Sequence, residues 1–180
     1  MSHPVPCLLD AAQMDHTLGR LAREIAAVFG EEDSLVLVGI RSRGLPLAER
    51  LAPMLKGILG KEVPVGSLDI SLYRDDLTEL MGAPIVRPTE IPFGLKGKSV
   101  VLVDDVIFTG RTVRAALDAL QDYGRPRRVW YSVLVDRGGR ELPIQPDFTG
   151  LKLELPLNQR VSVRVQEIDQ VDGVFIQTQG

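Results

Sequence analysis

The chain has 180 residues, 44% of them hydrophobic and 25% charged, with a formal net charge of −3. That is enough for one domain with a real core, and with no apolar run of transmembrane length the composition is that of a soluble globular protein. A negative balance excludes a chain built mainly to coat nucleic acid, so any such site has to be a local basic patch working against the overall field.

The segment Met1-Ser2-His3-Pro4-Val5-Pro6-Cys7 lacks the basic start and apolar stretch of a signal peptide. Cys7, the only cysteine, excludes an internal disulfide, and together they lead to the expectation of a reducing, cytoplasmic setting. Asp10 followed by Gln13 reads as a capping box. Met14, Leu18, Leu21, Ile25 and Val28 then recur at helical spacing up to Gly30. The opposite face carries Arg20 and Arg23.

Leu35 to Ile40 reads as a strand buried on both sides. Arg41-Ser42-Arg43-Gly44 follows, then a helix with Pro46 in its first turn. Pro53 should kink or interrupt that helix. Val63 to Ile70 reads as another strand. Beyond it a long stretch without helical period, about 71–92, holds Gly82, Pro84, Pro88 and Pro92. Such long loops are often lids or arms, and closing one excludes water from a reactive centre.

Val100 to Val103 is a third buried strand, followed at once by Asp104 and Asp105 where it should emerge at its carboxyl end. Open α/β sheets bind ligands in that crevice. Val106-Ile107-Phe108 leads into Thr109-Gly110-Arg111-Thr112, and then a helical stripe begins at Val113 and runs through Leu120, with Gly124 as its C-cap. A helix N-terminus with a glycine and two hydroxyls suits a phosphate. The two carboxylates would repel that phosphate, so they suit a sugar's vicinal hydroxyls or a divalent cation instead. A ribose 5-phosphate uses both halves.

Val129 to Val135 is the next strand. Asp136 to Ile144 forms a charged, glycine-containing loop, Phe148–Gly150 and Val161–Val165 suggest short strands, and Val171–Ile176 reads as a final strand or turn. His3 and His16 are too isolated to form a site. Strands alternating with helices predict an α/β fold, a central mostly parallel sheet flanked by helices in a single domain 1–180. A flexible β-arm at about 71–92 and a small C-terminal hood at about 136–165 are additions to that sheet, with antiparallel strands.

The stretch Val100 to Thr112 resembles the phosphoribosyl diphosphate (PRPP) signature of type I phosphoribosyltransferases. It is not a Walker A loop, which needs glycine where Asp105 stands and lysine where Arg111 stands. The resemblance extends to the bacterial pyrimidine operon attenuator family, whose members also act as uracil phosphoribosyltransferases. It is carried by the central signature and by Leu37 to Gly44, Asp69 to Asp76, Val133 to Gly138, Arg140 to Ile144 and Glu167 to Asp172. Purine transferases commonly carry an acid where this chain has Phe108, and many dedicated uracil transferases lack the paired acids present here.

The resemblance implies the type I fold and PRPP held with Mg²⁺, the metal arriving mainly on the substrate. Thr109, Gly110, Arg111 and Thr112 would take the 5-phosphate, and Asp104 and Asp105 the ribose. Arg41, Ser42 and Arg43 would face the diphosphate, with Arg74 and Arg87 reaching it when the arm closes. Val106 and Ile107 complete the nucleotide-binding segment. Uracil would lie near Phe108, Asp136, Arg137 and Gly138, with Val161 at the edge. Two readings follow. One is an enzyme making UMP and diphosphate that also binds the leader mRNA of pyrimidine genes when UMP is abundant, through Arg20, Arg23, Arg140 and Lys152. The other is a salvage uracil transferase without RNA control. Homodimers or larger homo-oligomers are implied in either case, and no membrane partner.

Overall fold

Apolar residues alternate so regularly along the central strands that each strand feeds two cores at once. In this computed structural model, residues 6–30, 34–76 and 85–178 are described. The elements are β1 (Cys7–Leu9), α1 (Ala11–Phe29), β2 (Leu35–Ile40), α2 (Gly44–Leu59), β3 (Val65–Leu68), β4 (Ser99–Ile107), α3 (Arg111–Gln121), β5 (Arg128–Asp136), β6 (Phe148–Lys152), β7 (Gln159–Arg164), α4 (Gln166–Asp169) and β8 (Gly173–Thr178). Five strands form a sheet in the order β3-β2-β4-β5-β6, and every neighbouring pair is parallel.

On one face, Leu35, Leu37, Val101, Val103 and Leu134 pack with Leu18, Leu21 and Ile25 of α1 and Leu47, Leu51 and Leu55 of α2. On the other, Val36, Val38, Ile40, Val100, Leu102 and Val133 pack with Val113, Ala116 and Leu120 of α3. This is the period-2 geometry of a strand covered on both sides. A second, antiparallel sheet has the order β1-β8-β7.

The capping box forms as read: the Asp10 carboxylate accepts the Gln13 N–H, and the Gln13 side chain accepts the Asp10 N–H. Several other expectations are corrected. Val28 is 50% exposed, and Phe29 takes the buried place at the end of α1. α2 runs continuously past Pro53, because Pro53 lies on the exposed face, where water can serve the carbonyl left without a donor. α3 ends at Gln121, with Asp122 rather than Gly124 as its C-cap. β4 does not stop before its acids but continues through Asp104 to Ile107, since β5 remains alongside to accept its hydrogen bonds as far as Asp136. β6 is parallel to β5, not antiparallel. β1, three residues long, carries no periodic signal and was not legible. Residues 77–84 of the arm lie outside the described residues, and its described parts contribute an isolated antiparallel bridge between Ser67 and Glu90.

The start of α2 lies directly on β4. A Cβ on Gly44 would come 2.2 Å from the Val103 carbonyl oxygen, and one on Gly39 would come 2.4 Å from the Leu45 Cα. Both neighbours are backbone and cannot rotate away. Gly44→Ala is therefore expected to destabilise the fold by about 2–3 kcal/mol, the scale of overpacking. Calorimetric melting checks this, and an unchanged midpoint would show that α2 can lift from β4 without cost.

Candidate active site

The carboxyl ends of β2, β3 and β4 meet the loops leading to α2 and α3 around a cavity of about 400 Å³, lined by Arg41, Ser42, Arg43, Asp69, Arg74, Arg87, Asp104, Asp105, Val106 and Thr112 among others. Asp104 is 5% exposed. Its Oδ1 accepts the Asp105 N–H at 2.9 Å, and its Oδ2 accepts the Tyr131 hydroxyl at 3.1 Å. Burial, then the neighbouring Asp105 charge, pushes the Asp104 carboxyl well above the usual carboxylate range. Burial and Asp104 also push the Tyr131 hydroxyl up. The pair therefore favours a single negative charge. Tyr131 was not singled out in the sequence. The available signal was a tyrosine inside an apolar parallel strand, whose hydroxyl needs a buried partner.

Gly110 adopts φ +93° at the N-cap of α3, a conformation that favours glycine, and Thr109 Oγ1 accepts the Arg111 N–H. The Thr109 carbonyl accepts the N–H groups of Glu141 and Leu142 at 2.9 and 3.0 Å, so the loop after β5 buttresses the turn. Thr109, Arg111 and Thr112 share a second cavity of about 240 Å³ with Arg74, Asp75 and Asp76. Arg111 is answered on both sides, by Glu141 at 2.6 Å and Asp75 at 2.9 Å, and Arg74 pairs with Asp76. Asp75 also pairs with Arg114.

Across the main cavity, Arg41 reaches Ser67 Oγ at 2.9 Å, and Ser42 Oγ accepts Arg87 Nη1 at 2.8 Å. The Arg41–Ser42 peptide is cis. Burial pushes the Asp69 carboxyl up, but hydrogen bonds from Ser71 and the Arg87 backbone overcome it, leaving the group below its ordinary range. Asp69 thus ties the end of β3 to the arm.

The residues expected at the base site occupy the far side of the signature. The Arg137 guanidinium lies over the Phe108 ring at 3.9 Å from its centroid, so that face of Phe108 is covered. A Cβ on Gly139 would fall 2.4 Å from the same ring. Arg137 is itself anchored on the carbonyls of Gln159 and Leu155. Asp136 accepts the Gly138 N–H at 3.0 Å and pairs with Arg140 at 2.7 Å. Its side chain is therefore turned to shaping this loop. Val161, in β7, packs against the larger core cluster.

The expected basic surface is only partly assembled. Arg20 bonds Glu24 and the carbonyls of Thr149 and Gly150, which brings it onto β6, two residues from exposed Lys152. Arg23 is exposed on the same helix as Arg20. Arg140 does not join them. It bonds Asp136, Gln145 and the carbonyls of Phe108 and Ile144, and its side chain is only 13% exposed.

Because the folded protein holds the Asp104 proton more tightly than the unfolded chain does, unfolding releases it. The stability this contributes is fully present below the ordinary carboxylate range and is lost as pH rises through the raised native value. Asp104→Asn removes the titration. The variant's stability relative to the parent should therefore rise as pH increases from the ordinary carboxylate value, about 4, toward the raised native one. Urea midpoints across that range measure it, and a difference that does not vary with pH would remove the raised carboxyl.

Residues 8–167 match the family model described as the phosphoribosyl transferase domain. The Bifunctional protein PyrR of Pelotomaculum thermopropionicum is 56% identical over 169 residues, covering 94% of this chain and 93% of its own. That of Thermus aquaticus is 56% identical over 167 residues, covering 93% and 92%. A hypoxanthine-guanine phosphoribosyltransferase structure from Bacillus anthracis superposes with a TM-score of 0.71 at 16% identity, covering 98% of this chain and 99% of its own, a likeness of fold. The match to the domain along most of the chain, together with these relatives, makes this chain a member of the phosphoribosyl transferase domain family, within the Bifunctional protein PyrR branch.

Proposed function

We propose that the chain transfers the phosphoribosyl group of PRPP to uracil, giving UMP and diphosphate, and that the same pocket senses UMP for an RNA-binding role in attenuating pyrimidine genes. One observation carries the enzymatic half: Asp104 and Asp105 of β4 and Thr112 of the helix start line one cavity with Arg41, Ser42 and Arg43, and Thr112 also lines the adjoining cavity of Thr109 and Arg111. The turn takes the 5-phosphate on N–H groups and hydroxyls. Asp104 and Asp105 accept the ribose hydroxyls. A single negative charge on that pair stabilises positive charge developing at C1 and repels the phosphates less than two would. The arginines stabilise the departing diphosphate while a uracil nitrogen attacks C1, so no nucleophilic side chain is needed. Phe108, Arg137 and Gly138 bound the base in this reading, with Asp136 shaping the loop.

Among the described residues no three acidic, histidine or cysteine groups gather as a resident metal centre would require. The hard oxygen donors of Asp69 and Asp105 on the cavity wall do fit a hydrated Mg²⁺ carried in with PRPP. Mg²⁺ bound there would neutralise charge on the diphosphate. These two carboxylates would hold its waters.

The regulatory half rests on the relatives' family and on Arg23, Lys152 and Arg20 along α1 and β6. The internal pairing of Arg140 takes it out of that surface; the alternative is a salvage enzyme without RNA control. No described helix is long and apolar enough to cross a membrane, and a cytoplasmic homo-oligomer belongs to the proposal.

Asp104→Asn combined with Asp105→Asn is expected to abolish uracil transfer while the protein stays folded by circular dichroism; near-normal turnover would remove the site assignment. For the RNA role, titration of a pyrimidine-operon leader stem-loop with and without UMP, across a salt series, should show UMP-enhanced, sequence-selective binding. Arg23→Ala with Lys152→Ala should weaken that binding and flatten its salt dependence, by roughly one unit of slope for each phosphate those side chains neutralise in the parent, leaving transfer intact. Binding no tighter than to a scrambled RNA would leave the salvage reading.

A further inference from the structure

The turn after β7 carries Glu167, Asp169 and Asp172, a segment singled out in the sequence but given no task by the reaction. α4 buries none of its own residues, so beyond the buried Val165 at its N-cap packing does not account for where its acids stand. Two bidentate contacts to α2 do. Arg50 reaches both oxygens of Glu167 at 2.8 and 2.6 Å and also Asp172 at 2.7 Å. Arg43, at the N-cap of α2, reaches Asp169 through Nη2 at 2.7 Å and Nε at 3.1 Å. The acids are themselves fixed: Asp169 Oδ2 accepts the Val165 N–H at 2.9 Å, and Asp172 Oδ1 accepts the Gln166 N–H at 2.8 Å. Planar forks of this kind fix geometry as well as charge.

Arg43 stands on the wall of the main cavity, and it makes no side-chain cap to α2. Without a partner its long side chain would sample many rotamers. We propose that Asp169 is a positioning residue for phosphoribosyl transfer: it holds the Arg43 guanidinium at the diphosphate end of the cavity, with the Arg50–Glu167–Asp172 contacts bracing the turn that carries it. The fork uses Nε and Nη2 and does not involve Nη1. A preoriented cation stabilises a departing diphosphate without reorganising during the reaction. This inference rests on the transferase reading above and adds a residue that never touches substrate.

The test uses the full chain with uracil and PRPP. Because Asp169→Asn keeps the shape but loses the paired charge, the KM for PRPP and the inhibition constant of inorganic diphosphate should both rise about fivefold, the scale of a partly exposed bidentate pair. The KM for uracil and the Kd for UMP, which carries the 5-phosphate and ribose but no diphosphate, should stay unchanged. Asp169→Glu should restore part of the loss. In an Arg43→Ala background, adding Asp169→Asn should change nothing further, because the group it positions is gone. Unchanged PRPP and diphosphate constants would overturn the proposal, as would a parallel loss of UMP binding or additivity with Arg43→Ala. Absence of uracil transfer by the parent protein would overturn the transferase reading and this inference with it. A parent that transfers normally beside an unaffected Asp169→Asn would overturn the inference alone.

Discussion

The hydrogen bonds that hold β4 between β2 and β5 determine where almost everything at the cavity stands. Because β5 stays paired with β4 as far as Ile107 and Asp136, Asp104 is a strand residue, with the Tyr131 hydroxyl reaching it from the neighbouring strand. Because β4 is central, α2 must start on one side of it and α3 on its carboxyl end. Gly44 then meets the β4 backbone closely, and Gly110 turns the chain from β4 into α3 with φ +93°. Arg41 and Arg43 before α2 and Thr112 at the start of α3 thereby line one cavity. A buried carboxyl beside another acid is costly, and a fold retains such a pair most readily where the charge has chemical work.

The sheet was legible because its strands obey one rule: Leu35 to Ile40 and Val100 to Val103 are apolar at every position except Gly39, which only burial on both faces explains. The turn at Thr109–Thr112 was legible because glycine and hydroxyls preceding a helical stripe have few other uses. What the sequence concealed was non-local. Pro53 looked like a break because its exposure on α2 depends on which face meets the core. Val28 and Phe29 are adjacent, and the spacing alone chose the wrong one. The length of β4 depended on a partner strand, and the parallel sense of β6 on a crossover after β5.

The site residues divide in the same way. Asp104 and Asp105 were visible from type and order, whereas Tyr131 and Asp169 act on residues 27 and 126 positions away. Phe108 was expected to offer a stacking or packing face. The cation over its ring makes it a packed element of the loop on that side. Arg140 shows the converse: an arginine expected to face RNA spends its donors on Asp136 and three neighbouring groups. An arginine's position in sequence says that it carries charge, not which carboxylate or carbonyl claims it.

Those claims set how a net-negative protein can keep cationic sites for a polyanion. Arg43 is paired with Asp169, Arg74 with Asp76, and Arg111 with Asp75 and Glu141. An exposed pair contributes little, so a phosphate can displace Asp75 or Asp76 at small cost. Asp169 differs, because a backbone N–H and both arms of the guanidinium hold it. The acids around the cavity therefore perform two jobs that charge alone does not distinguish. The arm carboxylates occupy cations that, in the reading proposed above, a phosphate claims. The carboxylate on the turn after β7 aims its cation and stays. In the reading proposed above, a ligand with both a 5-phosphate and a diphosphate is favoured because it engages the turn and the Arg41–Arg43 loop together, whereas either anion alone engages only one of them.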